Sequence, residues 1–373
     1  DLGHSGRMVT RRHSLALLAA ATTAPGPALA RTPQAPAIEL AAILAASGAP
    51  AVGGVWLRGG EVVWQGVAGR RAAEHETPVD VADPWHLGSN TKAMTAALVA
   101  RHVQRGRLAW EVRLGELLPD IAMDAAWRET PLVSLLSHEA GLLDSGLTGP
   151  AWLIRARADT RSLPAQRAAF AAEALGRPPA GAPGTFAYGN ANYIVAGAAL
   201  EALTGQSWEA QMQAELFDPL GRAGAGFGPP AGDAPRGHQD VAGQLQSLVP
   251  ETPGADNPAA LGPAGTVHAP LADYARFLAV FAGQGDWLTL SSVARLTTPS
   301  GPGSSYALGW GLTPQPWAAG PVLVHEGSNT RWHAIALVDR DGDRAMATVS
   351  NGGPRGRAAC VGLAEALRRA YVG

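Results

Sequence analysis

Lysine is almost absent from this 373-residue chain: of 29 basic residues, Lys92 is the only one that is not arginine. Cysteine is equally scarce. Cys360 stands alone, so no internal disulfide can form, and a buried structural thiol is its plainest reading. Charge of one sign is also missing, since the formal net charge is −2 with no basic block. That excludes the electrostatic footprint of a nucleic-acid binder. The longest apolar run near the start, residues 15–24, is too short to cross a bilayer. No Gly-x-Ser-x-Gly elbow occurs, so a triad of the α/β-hydrolase type has no support. The ten histidines are scattered without His-Glu-x-x-His spacing, and no metal or cofactor is expected. Asp339-Arg340-Asp341-Gly342-Asp343 lacks the later ligands of a calcium loop and reads as a hairpin turn.

Apolar residues make up 46% of the chain and charged ones 16%, enough for a sizeable core. Residues 1–36 read as an upstream remnant before Met8 followed by a secretory signal peptide. Arg11-Arg12, the apolar run and Ala28-Leu29-Ala30 supply its charged start, middle and cleavage site. The paired arginines loosely fit twin-arginine export. With no cysteine directly following the run, no lipoprotein anchor is expected, and the expected location is periplasmic or secreted.

Beyond residue 36 the pattern is a helix over 38–46 and strands over 51–57 and 61–67 around Gly59-Gly60. A long stretch, 85–298, is mostly helical. Strands return over 306–312, 322–325, 332–339 and 344–350, and a closing helix covers 358–371. Strands at both ends must pair with something. The simplest α+β solution is one antiparallel sheet built from both chain ends and flanked by helices, with an all-helical domain inserted. The expected domains are 37–84 plus 302–373 for the sheet and 85–301 for the helices, with a site at their seam.

Three segments carry chemistry. In Ser89-Asn90-Thr91-Lys92, the serine and lysine are three apart on the first turn of a helix and so share a face. A helix start also offers the Ser89 backbone N–H and a favourable dipole to a developing oxyanion. Desolvation disfavours an ammonium ion, so a lysine carried into a core can serve as base to a serine. In Tyr188-Gly189-Asn190, a phenol and an amide two residues apart can face one cleft, one moving a proton and the other holding a carbonyl. In His325-Glu326-Gly327-Ser328-Asn329, glycine lets substrate lie against a strand edge, and a following N–H can complete an oxyanion hole. Each is weak alone: a capped helix, an aromatic turn and a core histidine would explain them separately.

Together, and in this order, they match penicillin-recognising enzymes. The chain resembles the serine β-lactamase-like superfamily, and within it the class C β-lactamase, D,D-peptidase and family VIII carboxylesterase group. The likeness spans roughly residues 51–353. His86-Leu87-Gly88-Ser89-Asn90-Thr91-Lys92 is similar to the nucleophile segment. Leu132-Val133-Ser134-Leu135-Leu136-Ser137-His138-Glu139-Ala140-Gly141-Leu142 is similar to the Leu-Leu-x-His-x-x-Gly-Leu segment, and Tyr306-Ala307-Leu308-Gly309-Trp310-Gly311 to the strand before the third motif.

The resemblance implies a β-lactamase/transpeptidase-like fold and an acyl-enzyme at Ser89 with Lys92 as base. It makes Tyr188 a second proton carrier and Asn190 a contact of substrate and Lys92. His325 would stand where relatives have lysine, with Gly327 beside it and Ser328 giving an oxyanion N–H. His138 falls at a position that looks structural. Arg331 and Trp332 stand where relatives have smaller residues; they either narrow the acyl pocket or let Arg331 replace the missing cation. Without that lysine, short-chain carboxylic esters lead as substrates, ahead of D-amino-acid peptides or amides and then β-lactams. A non-catalytic penicillin-binding sensor is the alternative of another class. The expected partner is a small molecule, with no nucleic acid and no stable membrane anchor.

Overall fold

One hairpin early in the chain and a four-stranded meander late in it build the sheet. The computed structural model describes residues 37–373 other than 222 and 302; the signal-peptide reading lies outside the described residues. Helix α1 (Leu40–Ser47) stops at Gly48, whose left-handed backbone closes it. Strands β1 (Ala51–Arg58) and β2 (Glu61–Gly69) turn through Gly59 and Gly60, both at positive φ. From the far end come β8 (Gly311–Thr313), β9 (Val322–Ser328), β10 (His333–Asp339) and β11 (Arg344–Ser350). Between the two groups lie the short strands β3 (Pro84–His86), β4 (Gly226–Phe227), β5 (His238–Val241), β6 (Gln244–Ser247) and β7 (Val267–Pro270). The main sheet has the order β2-β1-β11-β10-β9-β8 and is antiparallel throughout. The short strands pair only among themselves, as β3-β7-β4 and β5-β6, so the stretch expected to be helical also carries two small sheets.

Both faces of β1 are buried. Ala51, Val55 and Leu57 join the large core, whereas Val52 and Trp56 join a second cluster with Met346, Leu363 and Leu367. This is the period-2 alternation of a strand between two layers. Gly53 and Gly54 sit in the middle of it. A methyl on Gly53 would come within 3.1 Å of Leu271, and one on Gly54 within 2.8 Å of Leu363. These bare positions let the Leu271–Phe281 helix approach one face and the Gly356–Tyr371 helix the other. The lone Cys360 lies in the second of these helices, buried, with its Sγ 3.5 Å from the His333 carbonyl oxygen. Burial pushes its thiol up, the opposite of what a nucleophile needs.

One expected strand is mostly a turn. Over 306–312 only Gly311 and Leu312 lie in a strand, with Tyr306 in an isolated bridge to Gly311, because Gly309 takes a φ of 80° and the Ala307 N–H donates to the Trp310 carbonyl. The turn is functional in placement: a side chain on Gly309 would strike the backbone of Lys92 and Ala93 at 2.9 Å or less. Helix α2 (Thr91–Gln104), which carries that lysine, is buried from Thr91 to Ala100 on every side. A helix apolar all round belongs in a core. Its few polar groups are satisfied there: Thr91 Oγ1 donates to Gly88 O at 2.7 Å, and Thr95 Oγ1 to Pro263 O at 2.7 Å.

Candidate active site

Ser89 lies in the single 3₁₀ turn, Gly88–Asn90, that feeds α2. It is half-buried, while Lys92 one turn later is fully buried. The Lys92 Nζ has three partners: Ser89 Oγ at 3.1 Å, Asn190 Oδ1 at 2.8 Å and the Ala264 carbonyl oxygen at 2.8 Å. The first two motifs therefore meet directly. Asn190 opens the Asn190–Thr204 helix, whose first N–H groups have no capping side chain of their own. Asp144 caps it from another loop, its two carboxylate oxygens accepting from Asn190 N at 2.9 Å and Ala191 N at 2.8 Å. The negative charge at the helix start is favourable and fixes the backbone from which the Asn190 amide projects.

The third motif meets the first through two glycines. Gly88 has a φ of 53°, and a methyl on it would lie 2.5 Å from the Ser328 nitrogen. A methyl on Gly327 would lie 2.1 Å from Leu87 O and 2.8 Å from the Ser89 nitrogen. Only bare backbone can pass this closely. Beyond Val324, strand β9 has lost β8 as a neighbour, so its edge from His325 to Ser328 faces the 3₁₀ turn. The backbone nitrogens of Ser89 and Ser328 thus flank one small region beside the Ser89 hydroxyl.

Tyr188 stands at the mouth, 45% exposed, with its ring centroid 4.8 Å from Lys92 Nζ. Behind it an aromatic cluster centres on His138, which packs 4.5 Å from Tyr188, 5.0 Å from Tyr306 and 5.3 Å from Tyr193. His138 is buried at a φ of 61°, and its Nδ1 accepts from Gly189 N at 3.3 Å. Burial, with Lys92 and His325 adding to it, holds this imidazole well below the usual histidine range. The residue set aside as structural thus braces the Tyr188-Gly189 turn.

His325 is buried too. Its Nδ1 contacts the Glu326 carbonyl at 3.1 Å, and its Nε2 lies 3.2 Å from the Tyr306 hydroxyl. A carbonyl can only accept, so Nδ1 carries the proton and Nε2 accepts from Tyr306. Burial first, and Lys92 second, depress its pKa to about 3.

Arg331 and Trp332 are held by other partners. Arg331 Nε reaches the Gly254 carbonyl at 3.3 Å. Trp332 is 1% exposed, packed edge-on against Trp85 at 6.1 Å and pressed on Gly237. Neither the narrowed pocket nor the substitute cation is supported by a contact at the serine. Asp144 and the Ala264 carbonyl went unread in the sequence. Asp144 is remote from the helix it caps, and a backbone carbonyl has no residue type to betray it. Among the described residues, no three His, Cys, Asp or Glu side chains gather as a metal site would require.

Helices packed on this antiparallel sheet, with a serine and a buried lysine one turn apart beside strand β9, define a serine hydrolase of the β-lactamase and penicillin-binding-protein superfamily. The Beta-lactamase family model matches residues 39–370, and the chain belongs to that family. Penicillin-binding protein 4 of Amycolatopsis lactamdurans is 28% identical over 288 residues, 72% of each chain. Among solved structures, the octameric penicillin-binding protein homologue from Pyrococcus abyssi superposes with a TM-score of 0.72 at 20% identity, over 88% of this chain and 75% of that one. The D-stereospecific amidohydrolase from Streptomyces sp. does so at 0.68 and 22%, over 88% and 96%. At these identities the superpositions show the fold.

Proposed function

We propose that the protein hydrolyses short-chain carboxylic esters through an acyl-enzyme at Ser89. Lys92 Nζ directs two of its hydrogen bonds to obligate or natural acceptors, Ala264 O and Asn190 Oδ1, and its third contact is the Ser89 hydroxyl. With its two N–H groups taken by those acceptors, the neutral amine would turn its lone pair to the Ser89 proton. Oγ then attacks the ester carbonyl, whose oxygen takes up negative charge between the Ser89 and Ser328 N–H groups. Collapse expels the alcohol, to which Tyr188 and Lys92 return the proton. Water releases the acid by the same steps in reverse roles.

The observation that carries the substrate class is His325. It occupies the place of a carboxylate-anchoring lysine, yet its two nitrogens are spent on Glu326 O and the Tyr306 hydroxyl, and burial keeps it uncharged. A site without that cation suits an acyl donor without a carboxylate. The names of the relatives favour D-amino-acid amides and penicillins as the second reading.

Side-by-side turnover of p-nitrophenyl butyrate, a D-alanyl p-nitroanilide and nitrocefin, by wild type and Ser89→Ala, separates these. Ester hydrolysis lost in Ser89→Ala is expected. Preference for the anilide or nitrocefin would replace the ester reading with the second one. Labelling of Ser89 by a β-lactam without turnover would make the protein a sensor.

A further inference from the structure

Three buried side chains, His86, Asp256 and Asn329, form a chain of hydrogen bonds that the chemistry above does not use. It begins where the Gly88 N–H donates to His86 Nδ1 at 3.1 Å. His86 Nε2 lies 2.8 Å from Asp256 Oδ2. Asp256 Oδ1 accepts from Asn329 Nδ2 at 2.7 Å and from the Asn257 N–H at 2.7 Å. Asn329 Oδ1 accepts the backbone N–H groups of Arg331 and Trp332, both at 3.0 Å. Gly88 immediately precedes Ser89, and Asn329 immediately follows Ser328. The chain therefore joins the two backbone segments that supply the oxyanion N–H groups, segments 240 residues apart in sequence that no strand pairing connects.

We infer that His86, Asp256 and Asn329 are positioning residues that set the spacing of the oxyanion hole, an inference that rests on the acyl-transfer reading of Ser89. The donor pattern shows why these residue types are needed. A backbone N–H can only donate, so His86 Nδ1 must accept and Nε2 must carry the proton. Two backbone donors occupy Asn329 Oδ1, so its amide must turn its N–H toward position 256. Position 256 thus faces donors from two sides and requires two acceptor oxygens, which a carboxylate has and an amide lacks. Asp256→Asn leaves an N–H against an N–H in a dry site, at nearly unchanged volume. The swap Asp256→Asn with Asn329→Asp restores the order from His86 to position 329 and leaves the Asn257 N–H alone without its acceptor. The new amide oxygen accepts from His86, its N–H₂ donates to the new carboxylate, and the second oxygen of that carboxylate keeps the Arg331 and Trp332 N–H groups.

The test measures kcat and KM for p-nitrophenyl butyrate, the rate of Ser89 labelling by a fluorophosphonate, and Tm. Asp256→Asn should lower kcat and the labelling rate about 10- to 100-fold with KM within about threefold, because misplaced donors weaken transition-state contacts more than binding. His86→Gln, which breaks the chain at its other end, should behave alike and serves if Asp256→Asn does not fold. The double swap should recover part of the lost kcat, short of wild type because the Asn257 N–H stays unpaired. Wild-type kcat in Asp256→Asn or His86→Gln, or a folded swap no faster than Asp256→Asn, would overturn the inference. Labelling and turnover that survive Ser89→Ala would instead overturn the acyl-transfer reading itself.

Discussion

Lys92 has no neighbour in the chain that could substitute for it, since every other basic residue is an arginine. A guanidinium stays protonated at all working pH values, so arginine cannot act as the base. The amine also does more than one thing: it holds Asn190 at 2.8 Å and faces Ser89 at 3.1 Å. Base and nucleophile should therefore fail as a unit. Lys92→Ala, Ser89→Ala and the double variant are expected to lose turnover to a common floor, at least about 10³-fold down, rather than additively. Burst kinetics on p-nitrophenyl butyrate check this, and substantial turnover in Lys92→Ala would remove lysine from the mechanism. Ser89, Lys92, Tyr188, Asn190 and His325 can be read as candidates because each is a side chain in a spaced motif. What the sequence hid is of another kind. Asp144 acts on a helix 46 residues away, and Asp256 acts on two segments that meet only after folding.

At the scale of elements, the site is a meeting of the 3₁₀ turn before α2 with the unpaired end of β9. Two backbones approach there without side chains between them, which is the physical content of Gly88 and Gly327. Gly327→Ala would place a methyl against Leu87 O, Asn90 Nδ2 and the Ser89 nitrogen, all closer than 3.0 Å. Strand β9 would have to withdraw, opening the oxyanion hole. The expected result is a loss in kcat of about 100-fold, comparable to removing one oxyanion donor, while far-ultraviolet circular dichroism keeps its native shape. A variant with wild-type kcat would show that the two backbones need not touch. The start of β9 is foreseeable from its apolar run Val322-Leu323-Val324. The turn over 306–312 is not, because its apolar residues read as a strand and only the positive φ of Gly309, set by contact with α2, breaks it.

For the molecule as a whole, several imidazoles are sealed in the core uncharged. His102, His138, His238, His325 and His333 are all held below the usual histidine value, in each case chiefly by burial. The unfolded chain binds protons at these positions near pH ~6.5, and the folded chain does so only at lower pH. Stability is then full above about 6.5 and declines as the pH is lowered toward the folded values, about 3 for His325. Each histidine steepens the decline by up to about 1.4 kcal/mol per pH unit within its window. Urea midpoints measured from pH 7.5 to 4.5 should fall once below about 6.5, and His325→Gln should make the fall shallower. Midpoints flat down to pH 5 would contradict this.

The pairing of β1 with β11 also has a consequence in time. Ala51 accepts a hydrogen bond from Ser350, 299 residues later, and the two strands are neighbours in the middle of the sheet. Contacts that span nearly the whole chain are slow to form, since a long loop must close before they reward it. During synthesis β1 therefore waits, both faces apolar and one edge unclaimed, until the final strands emerge. β9 is joined to β1 only through β11 and β10, so its place beside Ser89 rests on the contacts that are slowest to form.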